Sequence, residues 1–335
     1  MNKPNFIWTI LVGLTITSSI CKAQGTQLFY KEYLSENLYL IHPAMAGVNL
    51  VGSRFQFGSR SQWMSLENRP QTQYASYEYQ ASAKNTLGVK FFNDHNGYHR
   101  QTAFYGTYVF RIFLNDEVWN TLRVYPTKND EIQEVSFGLS ISNLSRQLDL
   151  SGWINSDNDP LIQANQTQNG FTSLHAGVAY VSTGLSAQLS IHNLAISPAK
   201  NSPLQEEEVF DTTGYQHYLA SLQYEIFTNS GWNFEPAFLV QYLEKTQETA
   251  WDISFKVYRL FRKGRIWMGA AFRQNNTGIT IKNSTYSQTQ YEKNWTPLLG
   301  LNFNRLQFSY QYSIPLGSIN MGLGGVHFIN LGFQP

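Results

Sequence analysis

The residues best suited to chemistry in this 335-residue chain are few and scattered. Asp157 and Asp159, in Asp157-Asn158-Asp159-Pro160, offer the paired carboxylates that calcium takes. With Pro160 directly behind them, a loop built on Asx turns is the simpler reading. His175, His192, His217 and His327 fall on separate expected strands, without the spacing that zinc ligands show. Glu206 to Glu208 read as a solvated loop face. The sequence holds neither a Gly-x-Ser-x-Gly nucleophile turn nor a phosphate-binding glycine loop. Arg60 and Trp63 have the chemistry of a cation–π pair, of an aromatic-girdle pair, or of a contact with a plug or partner. What any of these residues does depends on the elements that carry them.

Those elements read as strands. In Leu306 to Ile314, Leu306, Phe308, Tyr310, Tyr312 and Ile314 alternate with Gln307, Ser309, Gln311 and Ser313. Tyr218 to Ile226 and Trp251 to Val257 repeat the pattern, the second with Asp252, Ser254 and Lys256 on its polar face. Strict period-two alternation puts one face of each strand in an apolar setting and the other in a polar one. The polar faces are too polar for a sandwich core and suit a wet or polar lumen. A secreted pair of β-sandwiches, the competing architecture, needs a surface rich in Lys and Glu.

The pattern predicts strands near 50–60, 72–81, 86–93, 99–112, 133–145, 172–182, 184–192, 216–227, 232–244, 249–262, 264–274, 294–303, 304–313 and 323–333. Segments 118–125 and 276–283 are further pairing candidates. About fourteen strands, an even number, suit a closed antiparallel transmembrane β-barrel over residues 50–335. Turns are expected near 94–97, where Asn96-Gly97 is a hairpin signal, and near 183, 228–231 and 263. Long loops are expected near 113–132, 146–171, 193–215 and 275–293. In bacterial barrels the short turns face the periplasm and the long loops face outward.

Composition agrees. The chain holds 20 Tyr, 22 Phe and 8 Trp but only 14% charged residues. Soluble domains average about 25%. Aromatic richness with low charge and no long apolar run is what a lipid-facing barrel wall needs. Residues 1–23 read as a secretory signal peptide: Lys3, an apolar stretch from Phe6 to Ile20, then small residues before Gln24. Lipidation at Cys21 is disfavoured because Ile20 is large for the residue before a lipidated Cys. Cleavage after Ala23 removes the only cysteine, and with it thiol chemistry. Without Lys3 and Lys22 the 24 basic residues become 22 against 23 acidic, so nothing points to nucleic acid.

Two N-terminal motifs make the sequence recognisable. Asn37 to Gly47 (NLYLIHPAMAG) is similar to the N-terminal signature of the PorP/SprF family of Bacteroidota outer-membrane proteins. It carries Tyr39, Pro43, Ala44, Ala46 and Gly47, with His42 in place of the usual Asn and Met45 in place of the usual aromatic. Ser59 to Tyr79 resembles the family's Arg-Ser-Gln-Trp block, here Arg60, Ser61, Gln62 and Trp63 with Pro70 and Thr72 downstream. Weaker likenesses run in order through Gly88 to Gly97, Asp157 to Pro160, Leu185 to Leu194, Gly214 to Glu225, and Trp267 to Asn276 with Gly269 and Arg273. The closing strand resembles the family's, but its Gly-Ser-His-Glu becomes Gly325, Val326, His327 and Phe328.

The resemblance implies a non-enzymatic barrel of the type IX secretion system with no cofactor. Its implied partners are outer-membrane lipid, secretion components such as a periplasmic ring lipoprotein, and a large secreted adhesin of the gliding type. The alternative is an outer-membrane porin for small or hydrophobic solutes. An outer-membrane lipase or protease is a third reading. The stretch 24–49 precedes the first expected strand. Pro43 lacks an N–H and pushes His42 away from helical angles, and Ala44, Ala46 and Gly47 permit close approach. Leu38, Tyr39, Leu40, Ile41 and Met45 are too apolar to stand in water. Residues 24–48 are therefore expected to tuck into the periplasmic mouth or lumen as a plug.

Overall fold

A computed structural model describes residues 37–65, 69–97, 99–115, 133–148, 169–198, 216–244, 246–282, 287–316 and 325–335. The signal-peptide expectation, residues 24–36, segment 118–125, Asp157 to Pro160 and Glu206 to Glu208 lie outside these residues.

Alternation builds the wall. The strands are β1 (Ser53–Gln62), β2 (Gln71–Gln80), β3 (Asn85–Asn96), β4 (His99–Phe113), β5 (Gln133–Leu148), β6 (Asn169–Ser182), β7 (Leu185–Pro198), β8 (His217–Tyr224), β9 (Ile226–Phe227), β10 (Trp232–Leu243), β11 (Glu248–Phe261), β12 (Gly264–Lys282), β13 (Ser287–Phe303), β14 (Leu306–Pro315) and β15 (Val326–Phe333). β8 and β9 are one staple of the wall, interrupted at Glu225, and both pair with β10. Counted so, fourteen antiparallel strands close on themselves, because β1 pairs with both β2 and β15. Closure leaves no unpaired edge in a medium that cannot solvate one.

On β5, Leu139 is 51% exposed and faces out, while Ser140 is fully buried and faces the lumen. The same parity sets Phe91 outward and Lys90 inward on β3, and Phe308 outward and Ser309 inward on β14. The outer wall is thus apolar and aromatic, as the period-two pattern predicts.

Three expectations change. The first strand begins at Ser53 rather than Leu50. The expected loop 275–293 is mostly strand: β12 and β13 run 19 and 17 residues. Spanning takes about 9–11 residues, so this hairpin projects beyond the bilayer. The third concerns the rims. The β3–β4 turn lies on the same rim as the β5–β6 and β7–β8 connections, whereas the β4–β5 connection shares a rim with the short turns at 183 and 263. Loop length misassigns these two because each strand reverses direction, so side follows the strand count.

Candidate functional site

The site is the chain from Asn37 to Leu50, folded inside the barrel. Leu38–Leu40 and Pro43–Met45 form short 3-10 turns. Gly47 and Asn49 then take positive φ, 75° and 52°, and lead the chain to β1. Tyr39, Leu40, Ile41, His42, Ala44, Met45, Ala46, Val48 and Leu50 are all buried. Their neighbours belong to the inward parity of the strands, so the segment occupies the lumen and not the outer wall.

Three apolar clusters hold it. Leu40 and Ile41 pack with Tyr74, Phe92, Tyr105 and Phe328. Ala44, Met45 and Val48 pack with Ala179 and Val181. Tyr39 and Ala46 pack with Val109. The lumen, expected to be wet or polar, does carry buried polar side chains, but it adds apolar patches where the segment docks, since apolar side chains inside need apolar partners. Further round, on β10 to β12, the lumen is ionic: Lys256 meets Glu235 at 2.5 Å and Arg273 meets Asp252 at 3.4 Å.

Polar contacts fix the register. Asn37 donates to Ser76 Oγ (3.1 Å) and the Tyr39 hydroxyl to Thr107 Oγ1 (2.8 Å). Lys90 Nζ donates to the Tyr39 and Leu40 carbonyls and lies 4.6 Å from the Tyr39 ring centroid. Ser136 Oγ donates to the Ala44 carbonyl (2.9 Å), and the Arg111 guanidinium donates to that of Ala46. At the exit, the Gly47 N–H donates to Glu78 Oε2 (2.5 Å), whose carboxylate also takes two bonds from Arg54.

His42 bridges two strands. Its Nδ1 and Nε2 each lie 2.8 Å from a hydroxyl, those of Ser190 on β7 and Ser221 on β8. Ser221 gives its own proton to Gln188 Oε1, so it accepts from His42 Nε2–H, and Nδ1 accepts from Ser190. Burial pushes the imidazole far down, to about 3, with His192 and Lys90 adding to the effect. A neutral ring is what this two-hydroxyl bridge requires.

Glycine makes room. A Cβ on Gly138 would overlap the Ala44 backbone nitrogen, and one on Gly88 would sit 2.5 Å from the Tyr39 hydroxyl. The wall is bare where the Pro43-Ala44 turn and Tyr39 press on it.

The second motif sits elsewhere. Arg60 and Gln62 share the inward face of β1, and the Arg60 guanidinium donates to the Gln62 side-chain oxygen. Arg60 is in register with Thr72, whose hydroxyl donates to Asp94 Oδ1 (2.5 Å). The Gln62 N–H donates to the Pro70 carbonyl (3.0 Å), closing the base of the β1–β2 connection. Trp63 lies past the strand end with φ 53°. The structure thus unites Arg60, Gln62, Pro70 and Thr72 at one rim, and it turns Arg60 towards Gln62. Tyr39, Pro43, Ala44, Ala46 and Gly47 gather in the lumen.

Ser76, Glu78, Lys90, Thr107, Arg111, Ser136, Ser190, Ser221, Gly88 and Gly138 are wall residues whose contacts with the segment the sequence reading missed. For Glu78, Lys90, Arg111 and the glycines the available signal was a charge or a glycine at inward parity; the hydroxyl residues carried none. Strands β6, β7 and β8 also bring three of the four scattered histidines side by side: His175 and His192 rings lie 5.1 Å apart, His192 and His217 6.2 Å. Among the described residues, no three of His, Cys, Asp or Glu converge on a metal-sized site.

Residues 22–333 match the family described as "Type IX secretion system membrane protein PorP/SprF". The chain belongs to the PorP/SprF family. Its place is accordingly the outer membrane, as a barrel of type IX secretion. No curated protein matches it. Among solved structures, this PorP/SprF barrel is similar to the CymD monoaromatic hydrocarbon channel at 9% identity and TM-score 0.50, over 89% of this chain and 91% of that one. It is similar to Omp33 of Acinetobacter baumannii at 11% identity and TM-score 0.41, over 86% and 100%. BamA from Haemophilus ducreyi gives 11% and 0.41, over 84% and 70%. At such identity these likenesses concern the fold alone.

Proposed function

We propose that this PorP/SprF barrel is a non-catalytic binding component of type IX secretion, supporting export or surface attachment of a large secreted protein, and that it does not serve as an open pore. The observation that supports this reading is the Asn37–Leu50 segment, buried in the lumen and bonded to β2, β3, β4, β5, β7 and β8. A route for solutes needs an unobstructed or readily cleared lumen. This one is occupied by apolar packing and by hydrogen bonds that would have to break together.

The test is a strain lacking the chain. Loss of one large protein from the cell surface, with unchanged uptake of small solutes, is the outcome expected of a cargo partner. Loss of many exported proteins at once assigns it to the shared machine instead. Unchanged export with slowed uptake of a solute sinks the proposal and restores the porin. In planar bilayers the full-length protein should be nearly silent, and deletion of residues 37–46 should open it. Trp63→Ala should impair export while the barrel still assembles if the β1–β2 rim touches a partner.

A further inference from the structure

The outer wall carries a groove that the secretion reading does not use. It lies across β1, β13, β14 and β15, where the first and last strands meet, and has a volume of about 350 Å³. Phe57, Leu301, Phe303, Leu306, Leu331 and Phe333 line it, all at outward parity. Its size is at the lower end of the roughly 300–1,000 Å³ of ligand sites. Its lining offers a ligand almost nothing but hydrocarbon and aromatic surface, and it is continuous with the wall that faces lipid.

The groove ends at a basic rim. Phe303 and Leu306 flank the β13–β14 turn, which holds Arg305. The neighbouring β11–β12 turn holds Arg262 and Lys263. The two turns are bonded together: the Asn304 N–H donates to the Lys263 carbonyl at 2.8 Å. The Gln334 N–H donates to the Arg305 carbonyl at 2.8 Å, which brings Phe333 and the end of β15 to the same place. Arg262, Lys263 and Arg305 are all exposed, and neither turn contains an acid.

We propose that this seam binds an anionic glycerophospholipid. One acyl chain lies in the groove, and the phosphate headgroup meets Arg262, Lys263 and Arg305 at the rim. The occupant follows from the chemistry and the place. A flexible hydrocarbon chain fits the aromatic groove, and a negative head joined to that chain fits cations at its mouth. Both parts of such a molecule stand at the right depth, because the groove descends the lipid-facing wall from a rim of short turns. Clusters of Lys and Arg at a membrane surface favour anionic lipid, each basic residue adding to the attraction. The cations are exposed, so salt weakens the headgroup contact more than the chain contact.

The test uses the full chain, purified in neutral detergent and examined by native mass spectrometry. Phosphatidylglycerol and phosphatidylethanolamine with identical acyl chains are offered at equal concentration. The expected result is one phosphatidylglycerol retained per barrel, with a preference of roughly tenfold or more at low salt. The triple substitution Arg262→Gln, Lys263→Gln, Arg305→Gln should equalise the two lipids. Leu331→Trp, which fills the groove from the wall, should reduce retention of both. Heat-dependent gel mobility verifies a folded barrel in each variant, and Leu301→Trp replaces Leu331→Trp if that variant does not fold. Equal retention by the unsubstituted protein overturns the proposal, as does a preference that survives the triple substitution. Retention of lipopolysaccharide ahead of phosphatidylglycerol overturns it too, because it would put this rim in the outer leaflet.

Discussion

The carboxylate of Glu78 on β2 accepts the backbone N–H of Gly47 at 2.5 Å, across 31 residues of chain. The same carboxylate holds Arg54 through two bonds of 2.8 Å, and the Glu78 side chain is wholly buried. One acid thereby ties the end of the lumenal segment to the start of the wall.

Removing that acid should release the exit. Glu78→Gln takes the carboxylate away from the Arg54 guanidinium, which is only 11% exposed. Breaking a buried pair from one side costs about 3–5 kcal/mol. The loss falls on the docking of residues 37–50, and the strands keep their ladder. Hydrogen exchange should accelerate in the segment and stay slow in β2 and β3. Equal acceleration in both would mean that Glu78 supports the wall itself.

Docking should weaken in acid. A free histidine titrates near 6.5, whereas docked His42 is held to about 3. Between those values the undocked form binds the extra proton, so falling pH favours undocking. The contribution is complete above about 6.5 and declines by about 1.4 kcal/mol per pH unit below it, roughly 2 kcal/mol by pH 5. His192 and Lys90 face the same ring, so the informative quantity is the difference in pH slope between the unsubstituted protein and His42→Gln. Segment exchange measured from pH 7.5 to 5 should steepen for the former and flatten for the latter. Parallel slopes would remove His42 from the account.

The wall should not tolerate a methyl at Gly138. Its Cβ would meet the Ala44 nitrogen and lie 2.5 Å from the Pro43 carbonyl carbon. Forcing an extra methyl into packed structure costs typically about 1–3 kcal/mol. Gly138→Ala should therefore expose Tyr39 to Val48 to exchange and raise conductance, with unchanged barrel mobility on gels. Gly106→Ala on β4, where the nearest atom to a Cβ is 4.0 Å away, should do neither.

Sidedness follows from the strand count. Proteolysis of intact cells should cut the β5–β6 and β7–β8 connections and spare the β4–β5 connection, which shares a rim with the short turns. Cutting at β4–β5 in intact cells, with the other two protected, would invert the barrel.

Much of the wall was legible in the residues themselves. Phe308 beside Ser309, or Ile253 beside Ser254, states which face is inward, because a strand's side chains alternate by local geometry. Even strand number and closure followed from repeating that reading. The lumenal content was legible only in outline. Pro43, Gly47 and the apolar residues before them declared a segment unfit for water, but not which wall it would meet. His42 reaches Ser190 across 148 residues and Ser221 across 179. Nothing in those serines distinguishes them from any other inward hydroxyl. Likewise Gly138 is an ordinary strand glycine until the barrel closes and brings Ala44 against it. Alternation is set by each residue's immediate neighbours and so belongs to the sequence. The partners of a docked segment are set by the curvature and closure of the whole sheet, which only the tertiary structure decides.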